Sequence, residues 1–466
     1  MSESIHAAST IWDLLCRRVE ATPDARMLID GSGRVLSFAE FKDQAERVAA
    51  GLHGMGVAEG TPVTWMLPTR IETVLLSFAL SRLGAVQNPI VHVYRRSEVE
   101  RCIRQTQARL AIHPGVWGGF DYGAMFSEML SDPDSGFSCR PVTLDGYESL
   151  PDADPRALPS PTDSSPGSIR WLYYSFGASS AGSDPKGVQH SDTSLVACGL
   201  ALMQRLEAVA GDVGSMAFPY AHVRGLCYLS MMLAAGAPTL LIESFDPVEA
   251  MLDYARHRVT LAGGSAAFYR IFLSEDQRSR KADGRPAMPA LRLLSGSGAA
   301  VPPRLSYQVR EQLGVPLAHG YGMLECPVIA QGSPHDSDEE LARSVGRPAD
   351  GCQVSIVAMS ADGGELPAPA GIQGEVRVSG PMLFAGYTDP ALNEGAFDVR
   401  GRFRTGALGL LSESGHLILT GKAEHIVDSA GDDPAFAGIE ATVSVFADAA
   451  AAADAVDVAD AAANWR

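Results

Sequence analysis

A chain of 466 residues, 46% hydrophobic and 20% charged, has a globular composition and is too long for one small core, so at least two domains or subdomains are expected. The net charge of −18 argues against nucleic-acid binding, which needs basic patches. It leaves small anionic ligands open, because loop amides and a few cations override the global field locally.

The first half alternates helical and strand patterns. Ser37-Phe38-Ala39-Glu40 is a capping box for a helix running to Leu52, with a stop at Gly54–Gly56. Pro62 to Leu67 predicts a strand, Ile71 to Leu83 a helix and Ala85 to Val91 a strand. Ser97-Glu98-Val99-Glu100 predicts a second capping box, opening a helix to about Gln107, and Leu110-Ala111-Ile112 a short strand. Such alternation implies crossover units and parallel sheets. Asp132 to Gly167, rich in Pro, Asp and Ser, predicts a long surface connection. Strands are expected again at Ile169–Ser175, Ser215–Pro219, Thr239–Ile242, Val259–Ala262 and Leu291–Ser295. From Gly371 the short strands GEVRVSG and HLILTG predict a β-rich subdomain, about 345–421. The Ala/Asp/Val-rich run from Ala441 offers little large apolar surface and reads as a frayed helix or a tail. No apolar run approaches the roughly 20 residues of a membrane helix. MSESIHAASTIWDLL lacks the basic and apolar regions of a secretion signal. The seven cysteines form no CxxC pair, which predicts reduced thiols in a cytoplasmic protein without a cysteine zinc site.

YYSFGASSAGSDPKGVQH, from Tyr173 to His190, has the composition of a phosphate loop. Amides of a Gly/Ser-rich turn bind phosphate oxygens, serine hydroxyls add donors and Lys186 adds a compact positive charge. It is not a Walker loop, since Gly187-Val188 rather than Ser or Thr follows the lysine. Alone, this composition more often describes a plain surface loop. Leu294-Ser295-Gly296-Ser297-Gly298 ends a strand with glycines that allow close approach to a flat ligand, or simply turns the chain. Gly320-Tyr321-Gly322-Met323-Leu324-Glu325 offers an aromatic face and a hard oxygen ligand for magnesium, although a lone glutamate is ordinarily a solvated charge. Ala385-Gly386-Tyr387, Arg404-Thr405-Gly406-Ala407 and Leu419-Thr420-Gly421-Lys422 follow.

In order and spacing these motifs resemble the adenylate-forming superfamily of acyl-CoA ligases, luciferases and peptide-synthetase adenylation domains, over almost the whole chain to about Glu440. DPKGVQHSD and FPYAHVRGL are most similar to the fatty-acid and steroid-acid CoA ligase branch. The resemblance implies an α/β fold: a large N-terminal AMP-binding domain, residues 1–421, of two α/β sheets plus the β-rich subdomain. Residues 422–466 would be a hinge and a truncated C-terminal remnant. It implies an acid that reacts with ATP and Mg2+ to give an acyl-adenylate and pyrophosphate, and a thiol, CoA or a carrier protein, that displaces AMP. By the same resemblance Ser175, Gly177, Ser179, Ser180, Gly182 and Lys186 occupy the phosphate loop; Gly296, Ser297, Gly298, Tyr321 and Gly322 border the adenine; Glu325 holds magnesium. His222 matches an aromatic or histidine position near the acyl pocket, with Gly225 and the stretch 262–268; without its motif it would read as a satisfied core histidine.

The departures concentrate at the chemistry. Eight residues separate Gly177 from Lys186, more than in the family's Ser-Gly-Thr-Thr-Gly-x-Pro-Lys, and none is threonine. Leu324 stands where the family has a threonine for the α-phosphate, Ala407 where it has an aspartate for the ribose hydroxyls, and Lys422 where it has an arginine. The family's C-terminal catalytic lysine has no counterpart, since only His425 and Arg466 are basic after Lys422. Two readings stay open: an acyl-CoA ligase-like enzyme that acts at most on the adenylation step, or a degenerate or repurposed homologue that binds an acyl ligand or a partner without ATP chemistry.

Overall fold

Local sequence signals set the helix starts. Ser37 opens the helix Phe38–Gly54: its hydroxyl accepts from the Glu40 amide at 3.2 Å, and Glu40 Oε2 accepts from the Ser37 amide at 2.8 Å. The second box begins elsewhere than expected. The helix spans Arg96–Thr106, and Glu98 reaches back to the amide of Arg95 at 3.2 Å, so Ser97 lies inside the first turn. The sequence supplies the carboxylate that binds the first free amide, but Arg95 rather than Ser97 occupies the extended position before the helix. The computed structural model describes residues 5–132, 136, 139–161, 165, 167–175, 185–298, 301–359 and 364–422.

In chain order the strands are β1 (Arg26–Asp30), β2 (Val35–Ser37), β3 (Pro62–Trp65), β4 (Val86–Pro89), β5 (Leu110–His113), β6 (Val116–Trp117), β7 (Phe120–Asp121), β8 (Arg140–Thr143), β9 (Ile169–Ser175), β10 (Lys186–Ser191), β11 (Gly214–Met216) and β12 (Thr239–Leu241). Then follow β13 (Leu261–Gly264), β14 (Leu293–Ser297), β15 (Leu317–Met323), β16 (Cys326–Gln331), β17 (Arg347–Pro348), β18 (Gln353–Met359), β19 (Glu365–Pro367), β20 (Gly374–Ser379), β21 (Gly386–Tyr387), β22 (Phe403–Leu411) and β23 (Leu417–Lys422). They build a nine-stranded sheet in the order β17-β16-β15-β14-β13-β11-β12-β1-β2 and a seven-stranded sheet in the order β21-β10-β9-β4-β3-β5-β8. A five-stranded antiparallel sheet, β19-β18-β20-β22-β23, and the β6–β7 pair complete them. The centres of the two large sheets are parallel, as crossover alternation requires.

The helices Ile71–Arg82 and Val223–Ala235 are buried on nearly every face, and a helix apolar all round belongs inside a core rather than on a surface. Tyr220, just before the second helix, ties it to the first by donating to Ser77 Oγ at 3.0 Å.

The connection 132–167 is less irregular than its composition suggests. Arg140–Thr143 adds β8 as a parallel edge strand beside β5, where Pro141 is tolerated because an edge strand has one unpaired side. Strands β13 and β14 run two residues past their expected ends. Gly263 faces Ser295 and Gly264 faces Gly296, and a Cβ on Gly263 would overlap the Ser295 carbonyl. The glycines therefore extend the pairing instead of ending it, by letting two backbones approach closely. No described helix is long and apolar enough to cross a membrane, and all seven cysteines are free thiols.

Candidate active site

Strands β13, β14 and β15 are adjacent and parallel, so their C-terminal ends open on one edge of the nine-stranded sheet. That edge is where open α/β sheets bind ligands. A cavity of ≈ 70 Å³ lies there, lined by Gly263 and Gly264 of β13, Ser295, Gly296 and Ser297 of β14, and Tyr321 of β15. The other wall is mainly apolar, with Leu202, Phe218, Tyr228 and Val328, plus one guanidinium, Arg224. That exceeds the roughly 10–15 Å³ a cavity needs to admit one water. The structure thus brings together Gly296, Ser297 and Tyr321 of the expected adenine set. Gly298 follows at φ +118°, and Gly322, although expected to open the backbone, lies against β16: a Cβ there would overlap the Pro327 carbonyl.

Arg224 reaches the cavity from the motif FPYAHVRGL, of which the sequence reading singled out His222 and Gly225 but not the arginine. Its guanidinium donates to the Gly322 carbonyl at 3.4 Å, bridging the helix Val223–Ala235 to β15.

His222 has a structural task as well as a site position. It is the N-cap of Val223–Ala235, and its Nδ1 accepts from the Arg224 amide at 3.2 Å. It lines a second, smaller cavity with Tyr94, Tyr173, Tyr174 and Leu324 rather than the apolar one. Gly225 is not a pocket wall. A Cβ there would meet the Tyr220 backbone, so the glycine serves close packing at the first helical turn. Within 262–268 only Gly263 and Gly264 line the apolar cavity.

The phosphate-loop residues Gly177, Ser179, Ser180 and Gly182 lie outside the described residues, but both ends of the loop are fixed. Ser175 closes β9 and Lys186 opens β10 directly opposite it in an antiparallel pair. Gly187 next to the lysine packs under Tyr174 and Thr388.

Glu325 sits in the turn between β15 and β16, only 1% exposed. Tyr387 donates its hydroxyl hydrogen to Glu325 Oε1 at 2.7 Å, within the short range of bonds to a carboxylate. Strand β21, which carries Tyr387, pairs antiparallel with β10, the strand Lys186 opens. Burial, then the Glu325 charge, pushes the Tyr387 phenol far up, so it stays protonated as the donor. The Tyr387 link escaped the sequence reading, although Ala385-Gly386-Tyr387 stood out as a motif, because the contact joins residues 62 positions apart. His190, buried behind this group, donates from Nε2 to the Leu324 carbonyl at 2.6 Å. Burial lowers it to about 4, which keeps it neutral.

The two replaced positions are apolar and enclosed. Leu324 is 8% exposed. Ala407 is 4% exposed in β22, where it faces Lys422 across the ladder and its amide donates to the Thr405 hydroxyl oxygen at 3.1 Å. The Lys422 side chain and residues beyond it, with the expected remnant and tail, lie outside the described residues.

A family model of AMP-binding enzymes matches residues 15–388. The chain is 28% identical over 435 residues to a salicyl-AMP ligase / salicyl-S-ArCP synthetase of Mycobacterium tuberculosis, covering 90% of this chain and 74% of that protein. It is 28% identical over 404 residues to an indoleacetate–CoA ligase of Aromatoleum aromaticum, covering 86% and 76%. Among solved structures, the N-terminal domain of FACL13 from Mycobacterium tuberculosis superposes with a TM-score of 0.76 at 21% identity, covering 88% of this chain and 99% of that one. ATP-bound MatB from Rhodopseudomonas palustris gives a TM-score of 0.76 at 22% identity, covering 89% and 78%. With a family match across most of its length and the site edge where the sheet topology requires it, the chain belongs to the AMP-binding enzymes, the adenylate-forming superfamily of acyl and aryl ligases.

Proposed function

We propose that the protein activates a carboxylic acid with ATP to an acyl-adenylate. One observation carries the reading: a cavity bordered by Gly296, Ser297 and Tyr321 opens at the C-terminal ends of β13–β15, on the edge that β15 shares with the turn holding buried Glu325. Gly296, Ser297 and Tyr321 would border the adenine, with Gly298 and Gly322 beside them. Ser175, Lys186 and the loop between them, with Gly177, Ser179, Ser180 and Gly182, would bind the phosphates. His222 would face the acid.

In the reaction a carboxylate oxygen attacks the α-phosphorus in line. The bond from that phosphorus to the bridging oxygen breaks, and pyrophosphate leaves with the electron pair. Lys186 would neutralise phosphate charge, and the residues around the cavity would hold the acid near attack geometry. Glu325 would hold a magnesium ion, since its carboxylate, which takes the Tyr387 hydroxyl hydrogen on Oε1, offers the oxygen ligand this cation prefers. When bound, magnesium stabilises charge on the transferring phosphoryl group. Transfer to a thiol, CoA or a carrier protein, would follow, in the cytoplasm, where thiols stay reduced. Residues 1–421 would form the nucleotide-binding unit, with the β-rich part from about 345, and residues 422–466 a hinge and remnant.

A second reading rests on Leu324 and Ala407, enclosed and apolar where the family places a hydroxyl and a carboxylate. In that reading the cavity holds an acyl ligand, or the chain serves a partner, without ATP chemistry. Calorimetric titration with Mg·ATP separates the two. Micromolar to low-millimolar binding, followed by acid-dependent pyrophosphate release, supports ligation. A folded protein that binds no Mg·ATP refutes it.

A further inference from the structure

Away from the cavity, the hairpin between β22 and β23 folds back onto the connection between β16 and β17. The Val345 amide donates to the Leu417 carbonyl at 2.9 Å and the Leu417 amide to the Gly346 carbonyl at 2.8 Å. Three side chains meet beside this junction. Asp336 comes from the β16–β17 connection, Glu340 from the helix Asp338–Arg343 within it, and His416 from the hairpin. One ligand atom from each lies within 4.8 Å of the other two.

His416 is the unusual member. Its side chain is 1% exposed, and its buried Nε2 makes no hydrogen bond among the described residues. Nδ1 has the Ser414 hydroxyl oxygen at 2.8 Å and Glu340 Oε1 at 3.3 Å. The Ser414 hydroxyl can accept a proton from Nδ1, and in that tautomer the lone pair is left on Nε2. Yet Asp336 Oδ1 lies 3.2 Å from that nitrogen. A lone pair facing a carboxylate oxygen at this distance is repulsive unless a cation sits between them. Two ligands at about 2.1 Å from one metal, at near-tetrahedral or octahedral angles, are themselves about 3.0–3.4 Å apart.

Each carboxylate is also held by its other oxygen, as ligating groups are. Asp336 Oδ2 accepts from the Ser333 amide at 2.8 Å and has Arg205 at 3.6 Å. Glu340 Oε2 accepts from the Ser337 amide and hydroxyl at 2.9 and 2.8 Å.

We propose that Asp336, Glu340 and His416 bind a divalent first-row transition cation, of which zinc is the representative, clamping the β22–β23 hairpin to the large sheet. One imidazole and two carboxylates suit zinc or manganese better than calcium, which takes oxygen ligands alone. Glu340, 31% exposed, marks the side from which water would complete the coordination. The site uses none of the residues assigned to nucleotide or acid.

The test uses the full chain, stripped with EDTA and titrated with zinc chloride by calorimetry and thermal denaturation. One equivalent should bind at micromolar affinity or better and raise Tm. His416→Gln, Asp336→Asn and Glu340→Gln should each weaken binding at least tenfold, while Glu325→Gln leaves it unchanged. Cobalt(II) in the same site should show visible ligand-field bands without the thiolate charge-transfer band that a cysteine site gives. Glu340→Gln, at the exposed edge, keeps the test decisive if the buried variants fail to fold. No zinc binding by the folded wild-type protein overturns the proposal. Binding that survives all folded variants, or a thiolate band, overturns it equally.

Discussion

Tyr387→Phe tests whether the candidate metal carboxylate is held as the structure shows. The substitution removes one donor and little else. The ring keeps its edge-on contact with Phe384, centroids 4.8 Å apart, and the Tyr387 amide keeps its bond to Asn393 Oδ1 at 3.0 Å. What is lost is the 2.7 Å bond to Glu325 Oε1, from a tyrosine 6% exposed to a carboxylate 1% exposed. A hydrogen bond to a buried charged group contributes about 1.5–3 kcal/mol. At about 2 °C per kcal/mol for a large cooperative unit, Tm should fall by about 3–6 °C. Differential scanning fluorimetry measures it, and a double-mutant cycle with Glu325→Gln isolates the pair. Tyr387→Phe should cost clearly less in the Glu325→Gln background, where the acceptor carries no charge. An unchanged Tm with zero coupling would refute the claim that the phenol holds this carboxylate.

Ala407→Asp should tighten Mg·ATP binding about tenfold or more if the ribose lies against β22, because a charged acceptor contributes about 1.5–3 kcal/mol; calorimetry reads it, and no gain would mean the ribose is elsewhere. Gly296→Ala should lower stability by about 1–3 kcal/mol or more, since its Cβ would press on the Gly264 carbonyl and the Tyr269 hydroxyl, and a Tm within a degree of wild type would contradict the close β13–β14 approach. His190 is lowered by burial from 6.5 to about 4, so its neutral form is favoured in the folded state. Its contribution is therefore fully present above pH 6.5 and is lost as pH falls towards 4, by up to about 3 kcal/mol. His190→Gln should flatten the decline of Tm between pH 7 and 5, and an equal slope would exclude His190 as the cause.

The sequence by itself determined the family and most of the secondary structure, because those signals are local. The Ser37 capping box, the β9 strand at its expected bounds Ile169–Ser175 and the ordered motifs from Lys186 to Lys422 are written in contiguous residues. Glycine and proline were the weak point. Gly263 and Gly296 carry their strands, which also begin two residues later than expected, past where they looked finished, and Pro141 sits in an edge strand, because what a glycine or proline does depends on the backbone facing it. The tertiary structure alone decided which of the singled-out residues share a space. Gly296, Ser297 and Tyr321 meet at one cavity and His222 turns to another as a helix cap. It also revealed partners with no sequence signature: Tyr387 on Glu325 across 62 positions, and His416 between Asp336 and Glu340. Side-chain charge and hydrogen bonding act over a few ångströms in space, and only the strand order brings such distant residues that close.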